Sequence, residues 1–205
     1  MHLRLCLCAI VEPIELATRV VVLRHRRELN KPTNTGRLVS LALVHGEVRT
    51  FGGRGMEFDA SNLVDRGRRA LLLYPTDDST LLVRDDADAR PVTLIVPDAD
   101  WRRAHKLASN EPRLAGMARV HLPSGAPSTY RLRRHSDPRF LATFEAVARA
   151  LGILEGDAVQ ARLEHVFRLM VERQLWARGR LATELVTGGV PAAGEMVPDQ
   201  DLRAE

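Results

Sequence analysis

Val92 to Val96 form an apolar run of strand length that Pro97 closes, and Asp98-Ala99-Asp100-Trp101 follows directly. A run of this length and character reads as a buried strand. The carboxylates therefore emerge at a strand's carboxyl end, where open α/β sheets place their ligands. Arg102, Arg103, His105 and Lys106 come next. An acid that can accept a proton, an indole face on which a flat base can stack, and cations for phosphates together point to nucleic-acid modification.

The rest of the chain repeats the alternation of strand and helix. Arg19 to Leu23 is short and Val-rich, hence a strand, and the turn-prone segment Asn30 to Asn34 leads into a helix that Asn34 or Thr35 caps and Gly46 ends. Further strands are expected over Val48 to Phe51, Ala70 to Tyr74, Leu81 to Val83, Val92 to Val96 and Arg119 to Leu122. Helices are expected over Ala104 to Ser109, over Pro138 to Leu151 with Asp137 as cap, and over about 157–178. In the last of these Val159, Leu163, Val166, Phe167, Met170, Val171 and Leu175 recur at helical spacing, as a core stripe or a dimer seam. The fold class that follows is α/β, with a largely parallel sheet flanked by helices.

The 205 residues are read as one domain over 1–187, followed by an acidic tail at 188–205 that is expected to be disordered. No stretch approaches the roughly 18 apolar residues of a membrane span. Met1 to Leu5 lacks the long apolar core of a signal peptide, so no membrane association and a cytoplasmic location are expected. Cys6 and Cys8 are the two cysteines, and their one-residue spacing is a poor disulfide geometry, which agrees with a reducing compartment.

The net charge is +4, but its distribution is uneven. Arg19, Arg24, Arg26, Arg27, Lys31 and Arg37 face a single acid, Glu28, within one segment, and similar basic clusters follow Trp101 and Tyr130. Acids gather at Asp77, Asp78, Asp85, Asp86 and Asp88. One basic and one acidic face result, and the basic one suits a polyanion. Gly52-Gly53-Arg54-Gly55 lacks the Lys and Ser or Thr of a P-loop and reads as a loop. The common hydrolase, metalloprotease and dinucleotide motifs do not occur in the sequence.

An ordered series runs through the chain: Arg24-His25-Arg26-Arg27-Glu28, Asn34-Thr35-Gly36-Arg37, Leu72-Leu73-Tyr74-Pro75, Asp98 to Trp101 with Ala104, Ser128 to Arg133, and Thr143-Phe144-Glu145-Ala146. In that order and spacing the chain resembles the DTW-domain family, the tRNA-uridine aminocarboxypropyltransferases, from about Cys6 to Glu155. The resemblance implies a SPOUT-like fold with a C-terminal trefoil knot at the cofactor site. It implies transfer of the 3-amino-3-carboxypropyl group of S-adenosylmethionine to ring nitrogen 3 of a tRNA uridine, with release of methylthioadenosine. The alternatives are a SPOUT-type RNA methyltransferase and a non-catalytic module that binds structured RNA.

Carried onto this sequence, the resemblance makes Asp98 and Trp101 the catalytic pair, Asp98 as base or as a helix cap and Trp101 as a stacking face or a core residue. Donor contacts fall on Tyr74, Pro75, Leu122, Pro123, Tyr130, Arg131, Leu132, Arg133, Thr143 and Glu145. On an extended segment Arg131 and Arg133 point the same way, toward the donor's carboxylate or a phosphate, and Glu145 orders one of them through an ion pair. Substrate contacts fall on His25, Glu28, Lys31, Asn34, Thr35, Arg37, Arg102, Arg103 and Lys106, with His25 and Glu28 as a polar pair. Two departures from the family pattern stand out. Asp100 replaces the family's Thr and sets a second carboxylate two residues from Asp98, where like charges raise a pKa if the backbone stays extended. The further cysteines of relatives, consistent with a zinc site, are missing. Two thiols cannot make the closed tetrahedral set of a structural zinc, so no metal is assigned; the thiols are otherwise the outer side of a strand whose Leu3, Leu5 and Leu7 face inward.

Overall fold

Val20, Val21, Val22 and Leu23 are each fully buried, as are Leu94 and Ile95, so both faces of these two segments must be covered. The computed structural model, which describes residues 5–53, 59–85, 87–132 and 140–190, meets that demand with a sheet between helical layers. The strands are β1 (Arg19–His25), β2 (Gly46–Phe51), β3 (Arg69–Leu73), β4 (Thr80–Leu81), β5 (Val92–Asp98) and β6 (Ala118–His121). The helices are α1 (Leu38–Ala42), α2 (Trp101–Asn110), α3 (Thr143–Glu155) and α4 (Asp157–Trp176). The sheet order is β2-β1-β5-β3-β6-β4, and every pairing is parallel. The expected α/β class thus holds, and parallel pairing extends to all six strands.

Alternation along the buried strands sends Val20, Val22, Leu94 and Val96 to one core and Val21, Leu23, Leu72 and Ile95 to the other. The first core takes up α1, α3 and α4, with Phe144 and Phe167 at its centre; the second takes up α2 through Ala104, Leu107 and Ala108. The apolar stripe of α4 is therefore core within the chain, not a seam waiting for a second copy. Truncating Phe144 to Ala would cost about 3–5 kcal/mol and would loosen the start of α3, which carries Thr143.

Connectivity picks out one place at the sheet's carboxyl edge. From β1 the chain crosses by α1 to β2 on one side, and from β5 it crosses by α2 to β6 on the other side and over the opposite face. Neighbouring strands whose connections diverge leave a crevice between them. That crevice lies between β1 and β5, where Arg24 and Asp98 are register partners.

Several local expectations need correction. The helix expected from Pro138 begins at Thr143, with Ala142 as its cap residue; Asp137 and Pro138 lie outside the described residues. Gly46 opens β2 instead of closing α1, because a side chain there would run into the Val39 carbonyl at 2.4 Å. Helix α2 starts at Trp101, ahead of the expected Ala104. Cys6 and Cys8 are joined by a disulfide, with Cα atoms 5.5 Å apart, so the thiols do not argue for a reducing compartment. Leu5 and Leu7 are buried as expected, but residues 5–8 form no strand, and Leu3 lies outside the described residues. Among the described residues no helix is long and apolar enough to cross a membrane. The expected tail lies outside the described residues from 191 onward.

Candidate active site

Asp98 ends β5 with its side chain 6% exposed, a position that a carboxylate occupies only when hydrogen-bonded. Asn34 Nδ2 donates to Asp98 Oδ2 at 2.6 Å, and Thr143 Oγ1 donates to Asp98 Oδ1 at 2.6 Å. Burial pushes the carboxyl above the usual carboxylate range; the Glu28 charge adds to that push, while the bonds from Thr143 and Asn34 and the charge of Arg24 oppose it. The surroundings allow no slack. A methyl group on Gly36 would lie 2.5 Å from Asp98 Oδ2, so this glycine is required by the close approach of the carboxylate.

The segments that hold Asp98 are themselves tied together. Asn34 Oδ1 accepts the Arg37 amide at 3.3 Å, turning the chain into α1, while Thr35 Oγ1 accepts the Phe144 amide of α3 at 3.2 Å. Thr35 thus caps the third helix, not the first. Glu145 is 4% exposed and accepts the Ala142 amide at 3.0 Å, the Thr129 amide at 2.7 Å, the Thr129 hydroxyl and the Ser128 hydroxyl. It closes the loop ahead of α3 by these bonds, and among the described residues no ion pair joins it to Arg131.

Asp100 settles which acid is the cap. Its backbone is extended, with φ −63° and ψ 157°, and its side chain accepts the Arg103 amide at 3.0 Å and pairs with the Arg103 guanidinium. Burial alone would raise its pKa, but the Arg103 bonds and charge outweigh it and hold the carboxyl below the usual range. The expected repulsion between Asp98 and Asp100 is not among the causes of the Asp98 shift, because the two side chains serve different elements. Asp98 is left free of capping duty.

Trp101, the first residue of α2, is 43% exposed and so is not a core residue. Its ring lies 4.5 Å from Phe140 and 5.5 Å from Tyr74, centroid to centroid, and the Tyr74 hydroxyl donates to the Trp101 carbonyl at 3.3 Å. An aromatic wall results, open on one side.

Beyond β1 and β2 the surface turns basic. An open cavity of about 460 Å³ is lined by His25, Arg26, Arg27, Gly52, Gly53 and Arg103. A second, of about 330 Å³, shares His25, Gly52 and Arg103 and adds Phe51, Lys106 and Leu107. Burial and the Arg103 charge hold the His25 imidazole below its usual pKa, and its Nδ1 accepts the Arg27 amide at 3.1 Å. Glu28, expected to pair with His25, pairs with Lys31.

The expected residues therefore fall into separate groups. Asn34 and Thr143 bond Asp98, Thr35 and Glu145 bond amides at the start of α3 beside it, and Trp101 and Tyr74 form the adjoining wall. His25, Arg103 and Lys106 line the basic cavities, and Arg102 is exposed. Tyr130 is buried, its ring packs on Phe167 and its hydroxyl donates to the Thr33 carbonyl. Leu132 is buried, Leu122 is half-buried, and Pro75 and Pro123 are exposed past β3 and β6. Arg131 sits on an exposed turn, not on an extended segment, and Arg133 lies outside the described residues. Arg24 and Gly36 stand in the motif series without an assigned site role; the strand register that pairs Arg24 with Asp98 is the signal that finds the former. Among the described residues no group of three or more His, Cys, Asp or Glu side chains is gathered as a metal site.

A family model described as the DTW domain matches residues 1–175. The chain is 29% identical over 157 residues to tRNA-uridine aminocarboxypropyltransferase 2 of Drosophila melanogaster, covering 73% of this chain and 62% of that protein. To the proteins of that name from Macaca fascicularis and Mus musculus it is 27% and 26% identical, over 74% and 84% of this chain and 53% and 60% of theirs. The chain thus spans 53% to 62% of the length of these curated relatives. No solved structure matches it.

Proposed function

The chain belongs to the DTW-domain family, and from that premise we propose that it transfers a 3-amino-3-carboxypropyl group from S-adenosylmethionine to N3 of a tRNA uridine, releasing methylthioadenosine. The observation that carries this reading is Asp98, buried at the divergence of β1 and β5, held by Asn34 and Thr143, and adjoining the open wall of Trp101.

When bound, S-adenosylmethionine supplies an electrophilic carbon beside a sulfonium, which leaves as a neutral thioether and needs no acid. The residues of the chain do the rest. The uridine imide is a poor nucleophile until N3 loses its proton, and Asp98 accepts that proton. Each of its oxygens keeps a lone pair beyond the bond it receives from Asn34 or Thr143, and its raised pKa makes it a stronger base than an exposed carboxylate. Trp101 stacks on the target base or on adenine, a contact of about 1–3 kcal/mol. Asn34, Thr35, Thr143 and Glu145 act as positioning residues, and orientation supplies much of the acceleration.

The donor lies against Tyr74 and Pro75 after β3, Leu122 and Pro123 after β6, and the segment Tyr130 to Arg133. The tRNA backbone lies over His25, Arg103 and Lys106, with Glu28, Lys31 and Arg102 around them. The same reading takes the fold to be SPOUT-like with a C-terminal trefoil knot. With tRNA as substrate, this reading takes the location to be cytoplasmic.

Incubation with S-adenosylmethionine and unmodified tRNA, followed by nucleoside mass spectrometry, tests the reaction. The expected products are an aminocarboxypropyl-uridine and methylthioadenosine in equal amounts. Methyluridine with S-adenosylhomocysteine would identify a methyltransferase, and tRNA binding without either product would leave a binding module.

A further inference from the structure

Arg24 stands beside Asp98 in the sheet and on the same face of it, since the two are register partners on parallel strands. Arg37 lies close enough to Arg24 for the two positive charges to disfavour each other. Both side chains are half-buried, and the Nε of each is buried without a hydrogen-bond partner, although Arg37 also donates to the Pro32 carbonyl. Buried donors are nearly always paired, and two guanidinium groups brought together out of water call for an anion between them. Asp98 attracts Arg24 and offsets part of this charge, but among the described residues it makes no hydrogen bond to either guanidinium, its bonds being to Asn34 and Thr143.

Resting on the function proposed above, we propose that Arg24 and Arg37 bind the carboxylate at the amino-acid end of the donor. The reacting carbon and this carboxylate sit only a few bonds apart on one chain. Whatever holds the carboxylate must therefore stand beside the base that serves the reacting carbon, and Arg24 and Arg37 do. A tRNA phosphate is separated from uridine N3 by the whole nucleoside, and the basic cavity around His25 and Arg103 suits it better. Arg131 sits on an exposed turn and in this reading lies along the donor without holding its carboxylate. The pair makes the enzyme selective for a donor that keeps its carboxylate.

Calorimetric titration of the full chain with S-adenosylmethionine, its decarboxylated analogue and methylthioadenosine tests this. The unmodified protein should bind the carboxylated donor about 10- to 100-fold more tightly than the decarboxylated one. Arg24→Gln and Arg37→Gln should remove that preference and leave the affinity for methylthioadenosine, which has no carboxylate, unchanged. Equal binding of the two donors by the unmodified protein overturns the assignment without reference to any variant. So does weaker tRNA binding in the variants with the donor preference intact, which would make the pair a phosphate site. Absence of binding for every adenosine compound would instead remove the proposed function, and this inference with it.

Discussion

Asp98 combines a stability cost with a chemical use. Its folded pKa is raised above the unfolded value, so its contribution to stability is present below the unfolded pKa and is lost as pH rises through the folded one. Asp98→Asn removes the buried charge while an amide can still bond Asn34 and Thr143. At neutral pH this variant should melt a few degrees higher than the unmodified protein in a thermal scan, and the gain should vanish as pH falls and the native carboxyl protonates. In the same variant transfer should fall about 10²- to 10⁴-fold with tRNA affinity unchanged. The unmodified enzyme should show an acidic limb in kcat/KM above the ordinary carboxylate range. Normal turnover in Asp98→Asn, or a limb at the ordinary value, would take Asp98 out of the base role.

Helix α2 explains why Asp100 can stand where the family has Thr. The position is a helix cap whose side-chain oxygen accepts the Arg103 amide, and Asp and Thr both serve there. Asp100→Thr should therefore leave the melting temperature within about 2 °C, whereas Asp100→Ala should cost about 1 kcal/mol, or about 2–4 °C for a chain of this size. A large loss with Thr would mean that the Arg103 ion pair, not the cap, fixes the helix. Helix α3 shows the opposite situation. Asp137 and Pro138 gave a local start signal, but the start at Thr143 is set by Thr35 Oγ1, 109 residues away, and by Glu145. Hydrophobic spacing could not reveal it, because the apolar stripe continues past either boundary.

Across the molecule, charge is sorted by the fold and not by sequence neighbourhood. The basic run from Arg19 to Arg37 reads as one basic face, yet Arg19 pairs with Glu47, Lys31 pairs with Glu28, Arg24 stands beside Asp98, and Arg37 donates to the Pro32 carbonyl. The cations that rim the basic cavities are Arg26, Arg27, Lys106 and Arg103, the last also paired with Asp100. Filter binding of tRNA across a salt series should show log affinity falling linearly with log salt. Lys106→Gln should lower that slope by about 0.9 if it meets one phosphate. A salt-insensitive affinity would remove the basic rim as the RNA-binding surface. The residue types of the site were legible in one dimension: an acid and an indole after a buried strand, Asn and Thr before a helix, Thr and Glu opening another. Strand character, the α/β class and the extent of α4 were legible too, because short apolar runs and helical spacing are local consequences of which faces must leave water. Which acid is buried and which is cap, and which arginine stands beside the buried one, came only with the assembled sheet. Those assignments depend on strand register and crossover direction, and these bring Asn34, Asp98 and Thr143 together through contacts that no local stretch of chain encodes.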